Sequence, residues 1–174
     1  MSEKSLKRLL VPFKYDKKII TKGEGRRYNG MEILHVGEFT DSIGRVPVVY
    51  SSEELSEIPN NLSMKDEYFT IEDDRIFINT DHKPDEVLSR IGYAPNIYFE
   101  NGILKADGYL HCLTQQSRDV KTLIDSGYVN SLSVEIMTDD EFSHEDHKLH
   151  AKNIVLLGIA IVCFPADNQS CILS

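Results

Sequence analysis

The chain has 174 residues, 41% of them hydrophobic and 27% charged, which suits one soluble domain with a buried core. Against 19 Lys and Arg stand 28 Asp and Glu, a net charge of −9 that excludes a nucleic-acid surface built on basic patches; the basic residues between Lys4 and Lys18 read as a solvated arm. Three cysteines (Cys112, Cys163, Cys171) without metal-ligand spacing fit a reducing compartment rather than a disulfide framework, the longest apolar run is too short to span a bilayer, and no signal-like apolar core opens the chain.

In chain order, residues 1–30 form an N-terminal arm and a first loop or weak strand, and residues 31–174 form the single domain. Met31 to Phe39 and Val46 to Tyr50 are strand candidates, with a turn at Gly44 between them. Ser52, Glu54 and Leu55 open a short helix that Pro59-Asn60-Asn61 stops. Arg75 to Ile78 is a strand running into Asn79-Thr80-Asp81-His82. Lys83 to Arg90 makes a short helical turn with Pro84 near its start, and Gly92 changes direction. Ile97 to Phe99 and Ile103 to Leu110 form a hairpin, because Asn101-Gly102 favours the tight primed turn.

From Thr114 to Ser126, Val120, Leu123 and Ile124 recur at helical spacing, and Gly127 suits the left-handed stop. The period then becomes two. Leu132, Val134 and Ile136 take one face of a strand, and Ser131, Ser133 and Glu135 the other. A polar tract from Thr138 to Lys148 reads as a mobile loop before a closing strand, Ile154 to Phe164. The predicted class is α+β but mostly β: a closed or nearly closed β-barrel with a few peripheral helices.

Chemistry has few bearers. Hydroxyls on a rigid strand just past a helix are placed to act as nucleophiles; they equally fit an amphipathic strand whose serines face water. A neutral imidazole beside such a serine takes its proton and returns it to the leaving amine, and His82, at a strand end, is the candidate, with a plain surface histidine as the alternative. His144, His147 and His150, with Glu145 and Asp146 among them, could serve a metal-dependent hydrolase, but a polar loop is the stronger reading and no metal or cofactor is expected. His35, His111 and Cys112 have no evident partners and read as packed or surface residues.

Three segments, in order, resemble the prohead (capsid maturation) proteases of tailed phages, whose fold is related to the herpesvirus assemblin protease. They are Asn79-Thr80-Asp81-His82 followed by Gly92 and the hairpin; Leu123 to Gly127 leading into Leu132-Ser133-Val134; and Gly158 to Val162 with Phe164-Pro165-Ala166-Asp167. The resemblance covers roughly Ile33 to Ile172. It implies a serine endopeptidase that works inside the immature prohead in the host cytoplasm, trims scaffold and major capsid protein, and cleaves itself; related enzymes often form oligomers. No nucleic-acid or membrane partner is implied.

Carried over by position, His82 is the general base and Ser133 the nucleophile, with Ser131 the fallback. The family's third member, which orients the histidine, aligns with Gly158, so that role is open among His150, Glu135 and Asp81, in that order. Glu135 also stands where relatives carry glycine, and no arginine follows Arg118 to support an oxyanion, so backbone N–H groups or a water must serve. The alternative reading is a non-enzymatic capsid assembly or scaffold protein on the same barrel.

Overall fold

Local chemistry places most of the elements. The computed structural model describes residues 25–40, 46–62, 65–66, 69–70, 76–82, 86–163 and 165–172. The basic arm, the Gly44 turn and the Pro84 start of the predicted helical turn lie outside them. The order is β1 (Arg26–His35), β2 (Gly37–Phe39), β3 (Val48–Tyr50), α1 (Ser52–Glu57), β4 (Lys65–Asp66), β5 (Phe69–Thr70), β6 (Ile76–Thr80), β7 (Arg90–Glu100), β8 (Ile103–Leu110), α2 (Gln115–Asp125), β9 (Ser131–Ser143) and β10 (Lys148–Val162). The β7–β8 turn has positive φ at both Asn101 and Gly102, 53° and 80°, the primed turn expected of Asn-Gly.

Helix α2 begins at a capping box: the Thr114 side chain accepts from the N–H of Ser117, whose hydroxyl accepts from the N–H of Thr114. Its last turn is tied to β1 through Asp125, which accepts from Lys121 Nζ at 2.7 Å, Tyr28 Oη at 3.0 Å and Arg26 at 3.1 Å. The hydrogen bond from Lys121 holds the Asp125 carboxyl below the usual carboxylate range. Thr114→Ala removes the cap and is expected to lower stability by about 1 kcal/mol. Urea unfolding measures it; a midpoint identical to wild type would mean the cap contributes nothing.

The main sheet runs β1-β8-β7-β6-β10-β3-β2, with β9 on the other edge of β10. Strand β10 organises it. Along one edge it pairs antiparallel with β9 from Lys148 to Val162; the other edge is shared by β3 at Leu149–His150 and β6 at Gly158–Ile161, both parallel. The inner face carries the core, including Ile33, Ile78, Ile91, Leu104, Leu132 and Ile159, all 0–1% exposed.

The sheet curls into a half-barrel and does not close, a correction to the predicted closed or nearly closed barrel. Edge strands β1 and β9 are not paired with each other. Cys171 spans the gap, with isolated bridges to Glu32 of β1 and Ser131 of β9. The expectation failed because alternation sets the faces of strands but not how the outermost edges meet.

Two local readings also change. Gly92 lies inside β7 rather than at a bend: a Cβ there would sit 2.2 Å from the carbonyl oxygen of Tyr109, so glycine marks the close approach of two backbones. The polar tract is not a loop between strands. Strand β9 continues to Ser143 and β10 begins at Lys148, leaving only residues 144–147 as a turn. The β9 half of this hairpin is largely exposed and its residues are mostly polar, so it lacks the alternation that reveals a strand, and polar pairs such as Asn153 Nδ2 to Asp139 (2.9 Å) accompany its ladder.

Candidate active site

Three strands supply the site, and the middle one is bare where the outer two meet. Ala160 of β10 lies in register between Asn79 of β6 and Ser133 of β9, and Gly158 between Phe77 of β6 and Glu135 of β9. Residues paired across strands share a face, so Asn79, Ser133 and Glu135 project from the same side, opposite Leu132, Val134, Ile78 and Ile159, which pack in the core. Strands β6 and β9 are two spacings, about 10 Å, apart. Their side chains meet over β10 because Gly158 and Ala160 put almost nothing between them.

Strand β6 ends at Thr80. Asp81 donates its N–H to the carbonyl of Ile161 at 3.0 Å and then turns the chain with a φ of 58°, and His82 follows. The His82 Nδ1 lies 3.7 Å from Oε1 of Glu135, an ion-pair separation. The second carboxylate oxygen, Oε2, accepts from Asn79 Nδ2 at 3.2 Å. The Glu135 side chain is 10% exposed and that of His82 43%. Burial pushes the Glu135 carboxyl above its ordinary range, and the nearby His82 is the largest influence opposing it.

An imidazole whose Nδ1 faces a carboxylate keeps Nε2 for another partner. Same-face neighbours on a strand are about 6.7 Å apart, a gap that a ring with hydrogen bonds of about 2.8 Å on opposite sides can bridge. That interval separates Glu135 from Ser133, whereas Ser131 is a further pair of residues away. A cavity of about 1010 Å³ lies mainly against the other face of β9, at Leu132, Val134 and Ile136, with Val120 and Leu123 of α2, and is also bordered by Thr80, Asp81, His82 and Ser133. Among the described residues no hydrogen bond joins the Ser133 hydroxyl to His82.

Of the three residues considered for the third role, Glu135 is the one the structure brings to His82. His150 accompanies Asp146, Nε2 to Oδ2 at 2.8 Å, near the start of β10, eight residues or roughly 26 Å along the strand from Gly158. Asp81 is exposed and its carboxylate pairs with no imidazole among the described residues. Ser131 pairs with Val162 and bridges to Cys171. His144 packs edge-on against Phe142, and no group of three or more His, Cys, Asp or Glu side chains among the described residues could hold a metal ion.

Two residues carry roles that the sequence alone does not assign. Asn79 is visible there only as part of the histidine segment, yet its amide anchors Glu135. Gly158 leaves a signal: a glycine inside an unbroken run of Ile, Val and Leu marks close approach from a neighbouring strand. His35, without an evident partner in the sequence, is buried with Asp167 Oδ2 2.7 Å from Nδ1 and Glu32 Oε2 3.3 Å from Nε2. His111 places Nε2 2.9 Å from the carbonyl oxygen of Arg90.

The fold and site thus define a half-barrel with a carboxylate–imidazole pair beside a serine strand. No family model and no curated sequence matches the chain. Among solved structures it is similar to the bacteriophage T4 capsid assembly protease gp21, with a TM-score of 0.47 and 5% identity over 82% of this chain and 99% of that one.

Proposed function

We propose that the chain is a serine endopeptidase of phage prohead maturation, with Ser133 as nucleophile and His82 as general base. The observation that carries the reading is that Ser133 and Glu135 project from one face of β9 and that Glu135 Oε1 lies 3.7 Å from His82 Nδ1. His82 Nε2 takes the Ser133 proton as Oγ bonds to the scissile carbonyl carbon. The same proton passes to the departing amine as the C–N bond breaks, leaving an acyl-serine that water, deprotonated by His82, then hydrolyses. Among the described residues the edge of β9 away from β10 makes one isolated backbone bridge, Ser131 to Cys171, so main-chain groups beyond it can pair with an extended substrate.

The ordered motif resemblance supplies the setting: segments of scaffold and major capsid protein as substrates, self-cleavage, and a workplace inside the prohead in the host cytoplasm. A fluorophosphonate probe tests the chemistry. Wild type is expected to be labelled at Ser133 and to trim co-expressed scaffold or capsid protein, with both lost in Ser133→Ala. Trimming that survives in Ser133→Ala removes the assignment, and a wild type that neither labels nor trims favours a non-enzymatic assembly role.

A further inference from the structure

We propose that Glu135 is the positioning residue for His82, reaching the imidazole across β10 from the nucleophile's own strand through an opening that exists because residue 158 is glycine. This deepens the Ser133–His82 reading and rests on it. The family pattern would place the orienting group at position 158 itself; here the side chain is absent there and a carboxylate from the neighbouring strand fills the space.

The two positions are complementary. Gly158 and Glu135 are directly paired in the β9–β10 ladder. A Cβ at Gly158 would lie 2.2 Å from Oε2 of Glu135 and 3.5 Å from Nδ2 of Asn79, so any side chain there forces the carboxylate to move from its place. Glu135 is held at one oxygen only. Oε2 takes the Asn79 N–H, while Oε1 is buried without a hydrogen bond and lies 3.7 Å from His82 Nδ1. Leaving a buried carboxylate oxygen unpaired is costly. Closing that separation by roughly 0.5–1 Å gives an ordinary hydrogen bond, Nδ1–H donating to Oε1.

That bond would fix the ring's tautomer, keep Nε2 free to accept the Ser133 proton, and stabilise the imidazolium that forms. The other groups that bear on Glu135 are Asn79 and the Arg90 guanidinium of β7, which stacks on Phe77 with 4.5 Å to the ring centroid. Neither receives a proton in the reaction, so His82 remains the group through which Glu135 acts.

The test measures the rate of fluorophosphonate labelling of Ser133 against pH in wild type, Glu135→Gln, Glu135→Ala, Gly158→Ala and the Glu135→Ala/Gly158→Ala double variant, each with a thermal melt. Glu135→Ala and Gly158→Ala should each lower the rate about 10²–10⁴-fold. The double variant should fall no further than the slower single, since both remove one contact. Gly158→Ala should lower the melting temperature in the wild-type background but not in the Glu135→Ala background. Glu135→Gln, nearly isosteric, should move the acid limb of the rate profile to lower pH, a change that a purely structural role does not produce. A labelled wild type with Glu135→Ala within about threefold of it, or losses that add in the double variant, overturns the inference alone. A wild type unlabelled at Ser133 removes the Ser133–His82 reading, and this inference with it.

Discussion

Ser133→Ala and His82→Ala are each expected to lower kcat/KM for a scaffold-derived peptide by at least about 10⁴-fold, and the double variant no further than either single. A factor of 10⁴ corresponds to about 5.5 kcal/mol of transition-state stabilisation. The two losses do not add because nucleophile and base act as one unit: without the hydroxyl there is no proton for the imidazole to take, and without the imidazole the hydroxyl is a weak nucleophile. The same assay on Ser131→Ala separates the two serines. Ser131 lies two strand residues further from Glu135, outside the span of a ring that touches the carboxylate. Collapse in Ser131→Ala with survival in Ser133→Ala would move the nucleophile two residues back, and additive losses for Ser133 and His82 would mean they do not work together.

Asp167→Ala is expected to be the most destabilising single change considered, about 3–5 kcal/mol, because it empties the centre of a buried polar cluster. Asp167 is 4% exposed. Its Oδ2 accepts the His35 backbone N–H at 2.7 Å, lies 2.7 Å from His35 Nδ1 and takes the Ser170 hydroxyl at 3.0 Å; Oδ1 accepts the Gln169 N–H at 3.0 Å. These bonds pin the stretch that ends in Cys171, whose backbone exchanges hydrogen bonds with Glu32 at 2.8 and 2.9 Å, while Ile172 N–H reaches the Asn130 carbonyl at 3.1 Å. Asp167 therefore holds the one-residue seam between β1 and the start of the serine strand. At about 2–4 °C per kcal/mol for a chain of this size, the melting temperature should fall by roughly 10 °C. Asp167→Asn keeps an acceptor oxygen and should lose less. Calorimetry measures both, and a shift of only a degree or two in Asp167→Ala would show that the cluster does not hold the seam.

How much of the site is legible in the sequence follows from how far apart its determinants lie. The two faces of the serine strand can be read from Leu132, Val134 and Ile136 alone, and the primed turn from Asn101-Gly102, since neighbouring residues settle both. His150 stands first for the third role because the assemblin-like proteases that the sequence resembles use a second histidine shortly before the last strand, expected here to begin at Ile154. That strand begins at Lys148, in a polar stretch with little apolar alternation, so His150 lies within it and far along it from Gly158. Glu135 looks like a charge misplaced beside the proposed nucleophile until Gly158 is seen opposite it.

By itself the sequence determined the hairpin, the capped helix and the alternation that sets Ser133 and Glu135 on one face, because side-chain period, turn chemistry and capping act within a few residues. Only the tertiary structure decided which carboxylate meets His82 and that Cys171, 139 positions from Glu32, bridges the open edges of the sheet. Both depend on register between segments remote in sequence, where a shift of one residue would turn every side chain to the opposite face.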